Sequence, residues 1–173
     1  MTKYSNDFVQ NLIKILKDVP ISSNIKKESD LEKIIYRIIR DYTAKTLKVD
    51  DDKIDKVVFT HGVNWTESKI DQNVNVFGCS NTSDIFIKEP RLGTIYVELK
   101  YAPRRGDKGA NKLSDSLQRS IGQSIIASLV HTHVICLIVC EAKRKEREKD
   151  YSEELTELLR SHNIEFIVRN IYV

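Results

Sequence analysis

Apolar residues recur at helical spacing in two segments near the start of the chain. Over residues 6–18 the spacing predicts a helix with one apolar stripe, formed by Phe8, Val9, Leu12, Ile13 and Leu16. Pro20 ends this helix, because proline cannot continue the hydrogen-bonded ladder. A second stripe predicts a helix over about 31–47, and its members are Leu31, Ile34, Ile35, Ile38, Ile39 and Tyr42.

The middle of the chain changes to short apolar runs separated by turn residues. The runs in "DKVVFTHGV" (55–63) and "QNVNVFG" (72–78) predict strands, and the sequence leaves their pairing open. Residues 83–88 and 94–101 predict two further strands. The segment "EPRLG" joins them, and its proline and glycine favour a hairpin turn.

The last third of the chain alternates helical patterns with apolar runs. We predict a helix over about 112–130, and then a strand in "HVICLIVCE" that is buried on both faces because nearly all its residues are apolar. A charged helix (150–162) and the strand "IEFIVR" follow. The predicted order of the core elements, α-α-β-β-β-α-β-α-β, includes three of the four strands of the middle segment and indicates an α/β fold in which helices flank a mixed central sheet.

Chain length favours one domain over residues 1–173. Within it we expect an N-terminal helix (1–20), a core at roughly 28–141 and a C-terminal helix and strand (150–173). Hydrophobic residues make up 40% and charged residues 31% of the chain, which is typical of a soluble globular protein. We expect no membrane partner and a cytoplasmic location, because no apolar run approaches the roughly 20 residues that cross a bilayer and the N-terminus lacks an apolar signal region.

The three cysteines, Cys79, Cys136 and Cys140, are an odd number without disulfide spacing, which fits a reducing compartment. A strand would place Cys136 and Cys140 on one face about 13 Å apart, too far for one zinc ion. We therefore expect both of them to be core residues.

Charged residues interrupt the two strands of the predicted hairpin. Because side chains alternate along a strand, Glu98 and Lys100 face away from the apolar Val97 and Leu99, and Asp84 opens the neighbouring strand on the same side. Two neighbouring carboxylates repel each other unless a cation lies between them or one is protonated. Mg²⁺ prefers one or two carboxylates, with water or phosphate oxygens in its remaining positions. Lys100 could orient the attacking water, so the set suits metal-assisted hydrolysis of a phosphodiester.

This arrangement resembles the PD-(D/E)XK nuclease superfamily, which includes restriction endonucleases and Holliday-junction resolvases. The pattern here is Asp84, thirteen residues, and then Glu98-Leu99-Lys100, and the resemblance spans roughly residues 28–141. Ser83 stands where the motif has proline. The resemblance implies a restriction endonuclease-like αβββαβ core and a Mg²⁺-dependent DNA endonuclease, with Mn²⁺ as a possible substitute. It gives Asp84 and Glu98 the role of metal ligands and Lys100 a catalytic role.

Many members of this superfamily use a further acid from the helix before the sheet. Glu32 borders the buried stripe of the second helix and is our candidate for a catalytic and metal-ligating residue, ahead of Glu28. The alternative is a capping box, Ser29-Asp30-Leu31-Glu32, in which Glu32 only satisfies the helix N-terminus. Several members also carry a supporting glutamine on the helix after the hairpin, which makes Gln118 and Gln123 candidates.

The loop after the second hairpin strand is the best candidate for nucleic-acid contact. Its basic residues are Arg104, Arg105, Lys108 and Lys112, and Gly106 and Gly109 would let the backbone approach a ligand. Such residues neutralise phosphates without identifying the base sequence. His131 and His133 are weaker candidates, since no carboxylate or cysteine lies at a matching offset. His61 precedes a glycine turn and is a weaker candidate for DNA contact, and Trp65 could either stack on a base or have a packing role.

Three functional hypotheses remain open. The chain could be a metal-dependent endonuclease, a catalytically inactive nucleic-acid-binding protein on the same fold, or an assembly protein whose acidic sheet face only forms ion pairs. The small size and the basic loop favour structure-selective cleavage of DNA, while restriction-type sequence recognition stays open. A symmetric homodimer would place two sites on one substrate, and the small residues of "SIGQSIIAS" and the N-terminal helix are possible contacts.

Overall fold

The computed structural model describes residues 3–21, 25–60, 73–77, 79–103, 109–141 and 152–171. The helices are α1 (Lys3–Asp18), α2 (Glu28–Leu47), α3 (Gly109–Ser128) and α4 (Ser152–Ser161), and Ile54–Lys56 forms a short 3-10 helix. The strands are β1 (Val58–Thr60), β2 (Asn73–Val76), β3 (Cys79–Thr82), β4 (Ile85–Glu89), β5 (Gly93–Ala102), β6 (His133–Cys140) and β7 (Ile164–Asn170).

Five of these strands form one mixed sheet in the order β1-β4-β5-β6-β7. The pairs β1–β4 and β4–β5 are antiparallel, whereas β5–β6 and β6–β7 are parallel. The prediction of an α/β fold with a mixed sheet flanked by helices is confirmed, and so is the predicted order of the elements that build this sheet. The strands β2 and β3 form a separate two-stranded hairpin between β1 and β4, of which the sequence predicted only the first strand.

Helices α1 and α2 cover one face of the sheet and bury the larger apolar cluster. Their fully or almost fully buried side chains include Leu12, Leu16, Leu31, Ile35 and Ile39, which meet the sheet residues Ile85, Ile87, Ile95, Val97 and Leu99. Each such side chain stabilises the fold by about 1.5–3 kcal/mol through burial of apolar surface. This layer determines the orientation of β5, whose odd-numbered side chains face α1 and α2.

Helix α3 packs against the opposite face through small side chains. Ser120, Ser124 and Ala127 are completely buried, next to a smaller apolar cluster that contains Tyr96 and Val134. The small-residue face that we considered for contact with a second copy is therefore used within the chain. The apolar stripe of α1 is also buried in the core.

Cys136 and Cys140 are buried on β6 and unpaired, which confirms their assignment to the core. Burial raises the pKa of the Cys136 thiol to about 12, so it stays protonated. Among the described residues, no helix combines the length and the apolar character needed to cross a membrane.

Candidate functional site

Strand β5 carries Glu98 and Lys100 on the face that α3 covers. Glu98 is buried, with 1% of its surface exposed. Its carboxylate accepts a hydrogen bond from the Tyr96 hydroxyl at 3.2 Å and pairs with the Lys100 ammonium at 2.6 Å. The even-numbered side chains of β5 thus form a connected polar row on an otherwise apolar strand.

Asp84 lies immediately before β4 and next to this row. Its main-chain N–H donates to the Val97 carbonyl oxygen at 3.1 Å, and its side-chain Oδ2 accepts a hydrogen bond from the Leu99 N–H at 2.6 Å. The antiparallel register of β4 and β5, in which Ile85 faces Val97, brings the Asp84 carboxylate beside Glu98. The structure therefore brings together the three predicted residues Asp84, Glu98 and Lys100.

The electrostatics of this group reflect burial of two acids with one base. Burial, followed by the nearby charge of Glu98, raises the pKa of Asp84 to about 8, and the positive charge of Lys100 only partly opposes the shift. Burial also raises the pKa of Glu98, against the effect of Lys100. Burial disfavours the Lys100 ammonium, but the carboxylates of Glu98 and Asp84 outweigh it and raise the lysine pKa.

Helix α2 adds a third carboxylate, and it comes from Glu28. Glu28 Oε1 lies 3.6 Å from the Lys100 Nζ, and its other oxygen accepts a hydrogen bond from the Tyr101 N–H at 3.4 Å. Glu28 is half-exposed at the first turn of α2, directly over the end of β5. The sequence ranked Glu28 below Glu32, which borders the buried face of the helix beside Ile35 and Ile39.

Glu32 is connected to the cluster through Thr60. Its carboxylate accepts a hydrogen bond from the Thr60 hydroxyl, and that hydroxyl also lies 3.1 Å from the main-chain oxygen of Asp84. The capping-box alternative is wrong, because α2 begins at Glu28 with Lys27 at the N-cap and Ser29 lies inside the helix. Glu32 thus supports β1 and the backbone at Asp84, and its role as a metal ligand remains a prediction.

A cleft of about 400 Å³ opens beside Lys100 and Glu28. Its remaining lining residues are Tyr101, Pro103, Asp115, Ser116 and Arg119. Arg119 was not predicted from the sequence, because only the packing of α3 against β5 shows which helical positions face this cleft. A cleft with Lys100 and Glu28 at one end and an arginine on its wall can accommodate a phosphate group next to Lys100.

The two candidate glutamines of α3 differ in their surroundings. Gln118 is exposed, and the α3 side chains that line the cleft are those of Asp115, Ser116 and Arg119. The side-chain amide of Gln123 donates to the Asn81 side-chain oxygen at 3.1 Å. The side-chain amide of Asn81 donates to the main-chain oxygen of Gln123 at 3.0 Å. Gln123 therefore attaches the β2–β3 hairpin to α3, and a supporting role for Gln118 remains a prediction.

Metal ligation by the acids can be tested against their arrangement. Among the described residues, no group of three or more histidine, cysteine, aspartate or glutamate side chains is placed to hold a metal ion by protein ligands alone. Mg²⁺ commonly uses only one or two protein carboxylates and takes its other ligands from water and phosphate. Asp84 and Glu98 meet that requirement, since with Glu28 they give three carboxylates against the single Lys100 ammonium.

Several predicted contacts fall on other parts of the chain. Arg104, Arg105, Lys108, His61 and Trp65 lie outside the described residues. Lys112 belongs to the first turn of α3, but its side chain is not among those described.

The two histidines at the start of β6 are buried. His133 shares a 3.0 Å hydrogen bond with Ser5, and the His131 ring packs between the rings of Phe86 and Tyr96. This agrees with the sequence-based preference for structural histidines at the start of that strand.

Comparison of the chain with protein-family models, with curated protein sequences and with solved structures gave no match. The geometry of the site is therefore the basis for any functional assignment.

Proposed function

We propose that this protein is a metal-dependent endonuclease of the PD-(D/E)XK type that hydrolyses phosphodiester bonds in DNA. One observation carries the proposal: the half-buried Asp84 lies beside the buried Glu98, and among the described residues Lys100 is the cation that acts on both. Burial and the charge of Glu98 raise the pKa of Asp84, and the positive charge of Lys100 does not offset them. A divalent cation would supply the missing charge.

Each residue has a distinct task in the proposed reaction. Asp84 and Glu98 would hold Mg²⁺, and the ion would make bound water more acidic and stabilise charge on the phosphate. Lys100, held by Glu98 at 2.6 Å, would orient the water and stabilise the charge that develops on the scissile phosphate. Arg119, on the wall of the cleft, would bind a neighbouring phosphate.

The architecture around the site supports the same proposal. Helix α2 precedes the antiparallel strands β1, β4 and β5, and α3 then leads into β6, which pairs parallel with β5. With the separate β2–β3 hairpin set aside, this order matches the αβββαβ core that the resemblance to the PD-(D/E)XK superfamily implies. The polar row ends at Lys100, which lines the cleft together with Glu28, and Glu98 lies buried next to Lys100.

The competing hypothesis is a set of structural ion pairs. An ion pair retained only for the fold would match its charges, whereas among the described residues this cluster places three carboxylates near one lysine. Burying more carboxylates than the neighbouring positive charge balances costs stability, and such perturbed groups cluster at functional sites. We therefore favour the catalytic proposal over the structural one.

Cleavage assays test the proposal directly. Duplex, single-stranded, flap and four-way-junction DNA would be incubated with Mg²⁺, with Mn²⁺ and with EDTA. We expect cleavage with either metal and none with EDTA. Glu98→Gln should abolish cleavage, and Lys100→Ala should lower the rate by roughly 100-fold or more with little change in DNA affinity.

The control is Glu153→Gln, which changes an exposed acid on α4 and should leave the rate unchanged. Circular dichroism and thermal unfolding would establish that each variant is folded. Cleavage that persists in EDTA, or at the wild-type rate in Glu98→Gln, would overturn the proposed function.

A further inference from the structure

The β2–β3 hairpin directly precedes the candidate site in the sequence. It ends at Thr82, two residues before Asp84, and it lies outside the five-stranded sheet. The paired hydrogen bonds between Asn81 and Gln123 fix its base against α3. The hairpin is therefore connected both to a proposed metal ligand and to the helix that lines the cleft.

Phe77 lies at the tip of this hairpin, and its side chain is not buried. Its relative exposure is 102%, the highest among the exposed large apolar residues. Val76 pairs with Cys79, so Phe77 is the first of the two residues that connect the strands. A phenylalanine ring in that position adds nothing to the folded core.

The backbone at Phe77 adds a second cost. Its φ is +51°, in the left-handed region that glycine and asparagine adopt most readily. Two-residue hairpin loops commonly place asparagine, aspartate or glycine at this first position for that reason. The chain thus places a bulky, fully exposed ring where an asparagine would suit the turn better, and within the described residues the ring gains no burial in compensation.

The residues around Phe77 are polar and uncharged, and this limits the kinds of ligand that the ring suits. Residues 73–83 contain no charged side chain and are rich in asparagine, serine and threonine, in a chain with 31% charged residues. A protein interface requires about 800 Å² on each partner. Here a single ring projects beside polar amides, with Asn75 exposed and Val76 only half-buried. One ring with hydrogen-bonding neighbours matches the flat face and polar edge of a nucleobase.

We propose that Phe77 stacks on an unpaired base of the nucleic acid whose backbone lies in the cleft beside Asp84 and Glu98. The location of this contact rests on the proposed nuclease function. Asp84 follows Phe77 by seven positions, so the two Cα atoms lie at most about 25 Å apart. The stacked base would lie a few nucleotides from the scissile phosphate, and the contact would favour branched or gapped DNA, where bases are already unstacked.

Binding measured without cleavage tests this contact. The probes are a fluorescent duplex with one unpaired 2-aminopurine and the same duplex fully paired, both in EDTA. Phe77→Asn removes the ring and suits the turn, so the fold should be retained or stabilised. We expect this variant to bind the unpaired probe roughly 5- to 100-fold more weakly and the paired duplex equally well. The wild type should quench the 2-aminopurine and the variant should not.

Two further variants make the test specific. Phe77→Trp keeps an aromatic ring and should retain tight binding and quenching. Leu158→Gln changes another exposed apolar residue, on α4, and should have no effect on either probe. Equal loss on both probes, no loss in Phe77→Asn, or a loss of self-association in place of a loss of binding would overturn the stacking contact.

The outcome also separates this proposal from the nuclease proposal. If the protein binds unpaired bases through Phe77 but does not cut with Mg²⁺, the stacking contact stands and the proposed nuclease activity fails. If the protein cuts DNA and Phe77→Asn binds and cuts like the wild type, the nuclease proposal stands and the stacking contact fails.

Discussion

Asp84 illustrates how one side chain links stability to function. Its carboxylate accepts a hydrogen bond from the Leu99 N–H, which favours the ionised form, yet burial and Glu98 dominate and raise its pKa from 3.8 to about 8. Between these two pH values, the folded protein holds a proton that the unfolded chain releases. The stabilisation is complete below about pH 4 and is lost as the pH rises through 8.

This linkage gives a prediction for the metal-free protein. In EDTA, the free energy of unfolding should fall between pH 4 and pH 8, by up to about 1.4 kcal/mol per pH unit from this group. Asp84→Asn keeps an acceptor for the Leu99 N–H and should flatten the slope, and Mg²⁺ should flatten it in the wild type. Urea unfolding at several pH values measures this, with exposed Asp52→Asn as the control. An unchanged slope in Asp84→Asn would contradict the assignment.

Helices and strands with a regular apolar pattern were predicted from the sequence, whereas features that depend on tertiary contacts were not. The stripes of α1 and α2 and the alternation of β4 and β5 are encoded locally, so their positions and the meeting of Asp84 with Glu98 and Lys100 followed from the sequence. Which acid of α2 reaches Lys100 depends on where the helix begins over the end of β5. Glu28 was therefore underrated, and Arg119 was missed for a similar reason.

The β2–β3 hairpin was only half predicted because the second strand, "CSNT", has almost no apolar character. Its stability depends on Asn81, which bonds to Gln123, 42 residues away in the sequence. No local pattern records such a pair. The hairpin is thus an element that tertiary contacts hold in place, which makes it a separate unit for testing.

Removing this attachment should loosen the hairpin selectively. Asn81→Ala deletes both hydrogen bonds to Gln123, whereas Gln123→Ala deletes only the one made by its side chain. We expect Asn81→Ala to destabilise the hairpin by about 1–3 kcal/mol and Gln123→Ala by less. Amide hydrogen exchange should increase in β2 and β3 while β5 and β6 stay protected. Exposed Asn75→Ala is the control, and a uniform increase across the sheet would contradict local attachment.

Three exposed apolar residues of the molecule lie close together in the sequence at the end of α3. Ile125 and Leu129 are 48% and 72% exposed, and Val130 follows at 62%. Ile125 lies in the last turn of α3, and Leu129 and Val130 follow the end of the helix at Ser128. Ser120, Ser124 and Ala127 are already buried against the sheet, whereas the exposed apolar surface of Ile125, Leu129 and Val130 is available to a second copy.

A two-fold dimer through this surface would give two sites for cutting both strands of a DNA substrate. We expect sedimentation to show a dimer at micromolar concentration. Leu129→Lys should convert it to a folded monomer, because a buried, unpaired ammonium is costly at an interface. Leu158→Lys, on α4, should leave the dimer intact. In a supercoiled-plasmid assay the monomeric variant should nick one strand but lose concerted double-strand cutting. A wild type that sediments as a monomer with and without DNA would rule out this assembly, since the two sites would then never meet on one substrate.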